Sequence, residues 1–210
     1  MLPCDVSSDE QIQSVFDKIT KHWDGLDVIV QSVVYTPRLE LSDPFVESSA
    51  RDGFRVAHEI SSCSFVALAK AGIPLKRGRH GGLLTCSFIG ADRAIPHYNV
   101  MGLATARLEA GVRLLAQSLG PTGIRVNGIS ASPIRTHGVA AITDFKKLLD
   151  YNDLMAPHGR GVSIEEVGNV RALLCSGLAS GITGESTYLG GGFNTVATDL
   201  KYQWPLIKDP

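Results

Sequence analysis

Four short strand-like segments, each followed or preceded by a stretch with helical periodicity, constrain this chain more than any other feature. Leu26-Asp27-Val28-Ile29-Val30, Gly82-Leu83-Leu84-Thr85-Cys86-Ser87, Ile124-Arg125-Val126-Asn127-Gly128-Ile129 and Glu185-Ser186-Thr187-Tyr188-Leu189 read as strands. Runs as apolar as Leu26 to Val30 and Gly82 to Ser87 suit strands buried on both faces, which is the situation of a parallel sheet. The intervening segments read as amphipathic helices. A capping box from Ser7 to Glu10 starts one that ends near His22, with Val15, Phe16 and Ile19 as its apolar stripe. A second covers residues 53–70, with Phe54, Ala57, Ile60, Ser61 and Ser64 on related faces. A third opens at Tyr98 and carries Leu108, Val112, Leu115 and Leu119 at helical spacing, until Gly120-Pro121-Thr122-Gly123 stops it. A second capping box, Ser163 to Glu166, opens a helix that Gly177 ends. This alternation implies an α/β fold with a doubly wound parallel sheet and helices on both faces, in one domain spanning 1–210.

Composition narrows the function. The 210 residues are 44 % hydrophobic and 20 % charged, enough apolar material for a substantial core. A net charge of −1 gives no electrostatic basis for binding nucleic acid or a membrane surface. No apolar run approaches the roughly 18 residues of a membrane span. Cys4, Cys63, Cys86 and Cys175 are far apart and lack metal-ligand spacing, so they read as reduced thiols of a cytoplasmic protein.

A dinucleotide-binding sheet ordinarily begins with strand, glycine-rich turn and helix, so that backbone N–H groups meet the pyrophosphate. No such pattern precedes the first predicted strand. Gly190-Gly191-Gly192 comes after the last strand with no helical pattern beyond it and reads as a turn.

The segment from Ser87 to Thr105 carries the chemistry. It runs from a strand end through a loop into a helix opened by Tyr98, and Thr105 lies seven positions on, on the same helix face. Three other segments accompany it: Gln31-Ser32-Val33-Val34-Tyr35-Thr36-Pro37, Ala57-His58-Glu59-Ile60-Ser61-Ser62, and residues 125–136 from Arg125-Val126-Asn127 to Ile134-Arg135-Thr136. Together they resemble the NADH-dependent enoyl-acyl-carrier-protein reductases of the short-chain dehydrogenase/reductase superfamily, whose pattern is tyrosine, six residues, lysine. The resemblance covers nearly the whole chain. It implies a Rossmann-like sheet in which the chain begins near the end of the family's third strand, at Leu2 to Val6. The first two strand-helix units, about sixty residues, are then expected to be absent. The strand at 28–30 should become an unprotected edge, and the chain should be marginally stable, aggregate, or be completed by another polypeptide.

The resemblance also implies a site. Tyr98 is expected to donate a hydrogen bond to the thioester oxygen of a trans-2-enoyl substrate as hydride reaches C3. Phe88 matches a second active-site aromatic and can only wall the acyl pocket. Thr105 stands at the lysine position, without that residue's reach or charge; otherwise it is a neutral helix residue near a cleft. Asp5 and Val6 match the pair that frames adenine, although Asp5 equally suits plain helix-start chemistry. Ser32, Val33 and Val34 fall where the dinucleotide crosses the sheet edge, with Val34 in place of the usual glycine. Ile134, Arg135 and Thr136 match the loop that holds the nicotinamide carboxamide. Thr36 and Ile142 are expected along the acyl chain.

Residues 137–155 resemble the family's substrate lid, with a surface helix packed on the core as the other reading. Arg135, Lys146 and Lys147 are placed to meet an acidic carrier protein or simply to face solvent. The family tends toward homotetramers through helices such as 53–70 and 98–119. The implied cofactor is NADH, with weakened binding, and the implied partner is an acyl-carrier-protein-bound enoyl chain. Two alternatives stay open: a non-catalytic relic or subunit of that family, and a ketone or alcohol reductase, against which Gly102 at the Tyr-x3-Lys lysine position counts.

Overall fold

Four strands pair in the order in which they occur, and every pairing is parallel. They are β1 (Val28–Gln31), β2 (Gly82–Ser87), β3 (Arg125–Ala131) and β4 (Ser186–Leu189). The computed structural model describes residues 1–42, 44–134 and 145–197. The helices are α1 (Asp9–Ile19), α2 (Phe45–Ser48), α3 (Arg51–His58), α4 (Ser64–Lys76), α5 (Asn99–Leu119), α6 (Phe145–Met155) and α7 (Ile164–Cys175). The strands and the Rossmann-like arrangement agree with the sequence reading.

Side-chain alternation along β2 shows how both faces are used. Leu83 packs with Ile12, Phe16, Phe65, Leu108 and Val126 under α1, α4 and α5. Its neighbour Leu84 points the other way, toward Ile129, Leu174 and Ala179 beneath α7. Each such leucine contributes about 1.5–3 kcal/mol by leaving water. Among the described residues β1 pairs on one side only, and Val30 on its α7 side is 43 % exposed. The segment before α1 contributes no strand.

Two local expectations need correction. The cap of α1 is Ser8, whose hydroxyl accepts from the Gln11 backbone N–H, and not Ser7. Asp5 captures Ser7 instead, its Oδ1 accepting from both the backbone N–H and the hydroxyl of Ser7. The helix expected over 53–70 runs further in both directions, and a π-helical turn, Glu59–Cys63, joins α3 to α4. Ser62 in this turn and Ser64 just after it bond to their own helix, Ser62 Oγ donating to the His58 carbonyl and Ser64 Oγ to the Ile60 carbonyl. The Ser163 capping box is present as predicted. Gly190 to Gly192 form a turn, with Gly191 and Gly192 at positive φ.

Two cations tie the elements at the amino ends of the strands. Arg125 donates to the carbonyls of Leu174 and Ser176, meeting the unsatisfied carboxyl end of α7. Lys76, 1 % exposed, donates to the carbonyls of Asp27 and Gly82 and so joins the start of β1 to the start of β2. Burial lowers the Lys76 ammonium to about 8, against a smaller opposing pull from Asp27. The folded state therefore binds fewer protons than the unfolded chain between that value and the ordinary lysine range. Lys76 should make the fold more stable as pH rises from about 8 toward the unfolded value, and less stable as pH falls back through 8. Urea midpoints measured across that window should rise more for the natural chain than for Lys76→Met.

Candidate active site

The carboxyl ends of parallel strands are where ligands bind in sheets of this type. At that edge lies a mainly apolar cavity of about 530 Å³. β2 supplies Cys86 and Ser87, followed by Phe88; β3 supplies Ala131, followed by Ser132, Pro133 and Ile134. The loop after β1 supplies Val34, Tyr35 and Thr36, and α5 supplies Met101, with Tyr98 at its cap. Phe145 and Leu148 of α6 and Val167 and Arg171 of α7 close it. The cavity thus gathers Tyr98, Phe88, Val34, Thr36 and Ile134.

Tyr98 is seated by close backbone approach. Its ring meets Phe88 edge-on, with centroids 4.9 Å apart. A Cβ on Gly90 would fall 2.3 Å from Tyr98 Cδ1, so only glycine lets the ring lie there. A Cβ on Gly102 already lies 2.8 Å from the Gly90 carbonyl, which leaves no room for the longer side chain that a Tyr-x3-Lys arrangement requires. The flanking residues His97 and Asn99 both have positive φ, a strained state for non-glycine residues, and Asn99 is held by its amide donating to the Ser42 carbonyl at 2.6 Å.

Burial holds the Tyr98 phenol well above its ordinary value, the Thr105 hydroxyl pulls it down, and the charge of Glu109 pushes it up. Tyr98 is therefore a neutral hydrogen-bond donor at physiological pH. Thr105 is 1 % exposed and turns its hydroxyl hydrogen to the Met101 and Gly102 carbonyls. That hydroxyl is shared with its own helix, and Thr105 brings no charge to Tyr98. Arg107 is exposed and lies along another groove, beside α1 and α4.

Other expected residues separate. Ser32 is at the strand edge and accepts from Arg171, whereas Val33 does not line the cavity and offers its carbonyl to Gln31. Asp5 and Val6 lie outside the cavity wall, and the Asp5 carboxylate is held below its usual range by the Ser7 backbone N–H and hydroxyl. Arg135, Thr136 and Ile142 lie outside the described residues. Of the segment 137–155, the described part is α6, whose Phe145 and Leu148 face the cavity. Asn152 of α6 accepts from Ser132 Oγ at 3.0 Å, docking the helix on the end of β3.

Sequence reasoning missed three contributors. Ser61, in the π-helical turn, accepts from the Tyr35 N–H at 3.0 Å and donates to the Tyr35 carbonyl at 3.1 Å, fixing the loop that carries Val34 and Thr36. Glu109, 7 % exposed, accepts from the Ser87 hydroxyl at 2.5 Å just behind the cavity wall. Burial raises its carboxyl, Ser87 and Ser186 lower it by hydrogen bonding, Asp92 raises it, and Arg113 lowers it. Arg171 is the third. The available signal for Ser61 was its place in the Ala57 to Ser62 segment, and for Glu109 a charged residue between the apolar Leu108 and Val112 of the same helix.

The matches to known proteins point the same way. The family described as enoyl-(acyl carrier protein) reductase matches residues 1–194. This chain belongs to that family. It is 52 % identical over 198 residues to the NADH enoyl-acyl-carrier-protein reductase FabI of Neisseria meningitidis serogroup B, covering 93 % of this chain and 76 % of that protein. The Escherichia coli K12 FabI is 47 % identical over 197 residues, covering 94 % and 75 %. Among solved structures, the Aquifex aeolicus NADH enoyl-acyl-carrier-protein reductase superposes with a TM-score of 0.89 at 40 % identity, over 93 % of this chain and 76 % of that one. An Anaplasma phagocytophilum enoyl-acyl-carrier-protein reductase in complex with NAD gives 0.90 at 37 % identity, over 94 % and 75 %.

This geometry has two measurable outcomes. Gly90→Ala should displace the Tyr98 ring and lower stability by about 1–3 kcal/mol, seen as an earlier denaturation midpoint. Because the Glu109 carboxyl is raised, the folded state binds more protons than the unfolded chain above the ordinary carboxylate range. Stability from this group is full below that range and is lost as pH rises through the raised value. Glu109→Gln should flatten that decline in a pH series of melting temperatures.

Proposed function

We propose that this chain reduces trans-2-enoyl thioesters carried by acyl-carrier protein, using NADH, in the cytoplasmic synthesis of fatty acids. The observation that carries the reading is the placement of Tyr98 beside Phe88, Thr36 and Ile134 in one apolar cavity at the strand ends of a chain from this family. The residues present fit the nicotinamide half of the cofactor. The cavity is apolar around Val34 and Phe88, and Thr36 Oγ1 is buried in its wall with no partner among the described residues, ready for a polar ligand atom. When bound, the reduced nicotinamide supplies hydride to C3 of the enoyl thioester.

The chain's own contribution is electrostatic and steric. Tyr98 keeps its proton at neutral pH and donates to the thioester oxygen, which gains charge only as the transition state is approached. Phe88 fixes the phenol edge-on and offers no competing donor. Met101, Ile95, Phe145 and Leu148 exclude water and accommodate an acyl chain. Lys146 is exposed on α6 next to these residues, which suits an acidic carrier protein. Leu103 and Leu114 on α5 and Val66 on α4 are exposed, and such apolar helix surfaces suit assembly of the family's homotetramer.

One observation favours the alternative of a catalytically impaired member: Thr105 brings no cation to Tyr98 and spends its hydroxyl hydrogen within the helix. Purified chain assayed with NADH and a crotonyl thioester distinguishes the two. Reduction that Tyr98→Phe lowers at unchanged KM supports the proposal. Thr105→Lys should restore a charge-assisted hydrogen bond and raise cofactor affinity or turnover about ten- to hundredfold. A folded chain that neither binds NADH nor turns over, with or without that lysine, would establish the impaired reading.

A further inference from the structure

Arg171 reaches from α7 across the carboxyl ends of β1 and β2. Its Nη2 donates to Ser32 Oγ at 3.0 Å and to Cys86 Sγ at 2.7 Å. Neither acceptor is a carboxylate, so the pairing supplies no counter-ion. Its Nε is buried with no partner, and no carboxylate among the described residues forms an ion pair with it. The guanidinium also lines the cavity that holds Tyr98. A half-buried cation without a counter-ion is costly, and the cost is recovered when an anion arrives.

The position is not accidental flexibility of a surface side chain. Arg125 holds the carboxyl end of α7 against the foot of β3, one helical turn from Arg171. Val167 and Leu174 on either side of it are buried. The helix is therefore fixed, and the guanidinium stays at the strand edge with its charge uncompensated. A planar fork with a permanent charge matches the oxygens of a phosphate better than a point charge does.

We infer that Arg171 is an anion-binding residue that receives a phosphate group of the ligand entering this cavity. The inference deepens the reading above and rests on it for the source of that phosphate. Two ligands of the proposed reaction carry one: the nicotinamide nucleotide and the phosphopantetheine arm of the carrier. The neighbouring Ser32, at the sheet edge where dinucleotides cross, favours the nucleotide.

Calorimetric titration of the full chain tests this with reduced nicotinamide mononucleotide, the matching riboside without phosphate, 4′-phosphopantetheine and pantetheine. The mononucleotide should bind about ten- to hundredfold more weakly to Arg171→Gln than to the natural chain. The riboside should bind both alike, and Arg171→Lys should fall between. The same pattern with phosphopantetheine in place of the mononucleotide would keep the phosphate site and assign it to the carrier arm. The Arg171 Nε–Hε resonance of the natural chain should also shift on saturation, a readout independent of whether the glutamine variant folds. Equal binding of both phosphate ligands to the natural chain and Arg171→Gln, or a resonance that neither ligand moves, would overturn the inference. Arg171-dependent phosphate binding in a chain that reduces no enoyl thioester would leave the inference standing and remove only the proposed activity.

Discussion

The pairing of β2 with β3 holds the remainder in place. Six residues on each strand stay in register, from Gly82 opposite Arg125 to Ser87 opposite Ser130. Because the pairing is parallel, both strands deliver their carboxyl ends to the same side, and the loops leaving them converge. Ser87 and Phe88 come from one, Ala131 to Ile134 from the other, and the cavity is the space between. A slip of one residue would exchange Leu83 with Leu84 and turn both cores inside out.

The features legible in the chain divide along a physical line. The central strands β2 and β3 were legible because burial on both faces demands an apolar run, and that demand is written locally. Tyr98 was legible through the family resemblance of the Ser87 to Thr105 segment, which marks it out at the start of its helix. The cap of α1 was misplaced by one position because two serines stand side by side. The choice between them is made by Asp5, which binds Ser7 and leaves Ser8 for the helix. The π-helical turn was hidden because none of its residues breaks a helix.

Long-range polar partners were the least legible part. Arg171 sits in the middle of an amphipathic helix, where a charged residue ordinarily reads as a solvated face. Its partners Ser32 and Cys86 lie on two other elements far away in the chain. Glu109 is similar: a glutamate on a long helix, a residue type that ordinarily faces water, yet enclosed against Ser87. Thr105 was the opposite case, since the resemblance made its departure from lysine visible before its hydrogen bonds were.

The turn at Glu59–Cys63 sets the phase of a helix that otherwise runs from Arg51 to Lys76. One extra residue per turn rotates α3 by about 100° relative to α4. The half below packs Phe65 and Ala69 into the main core, while the half above turns Ala57 toward Val100 and Ala104. Two different neighbours are thus served by one rod, and the offset between them brings Ser61 round to clasp Tyr35. Shortening that rod by a single residue would restore an even pitch and take the clasp away from the loop that carries Thr36.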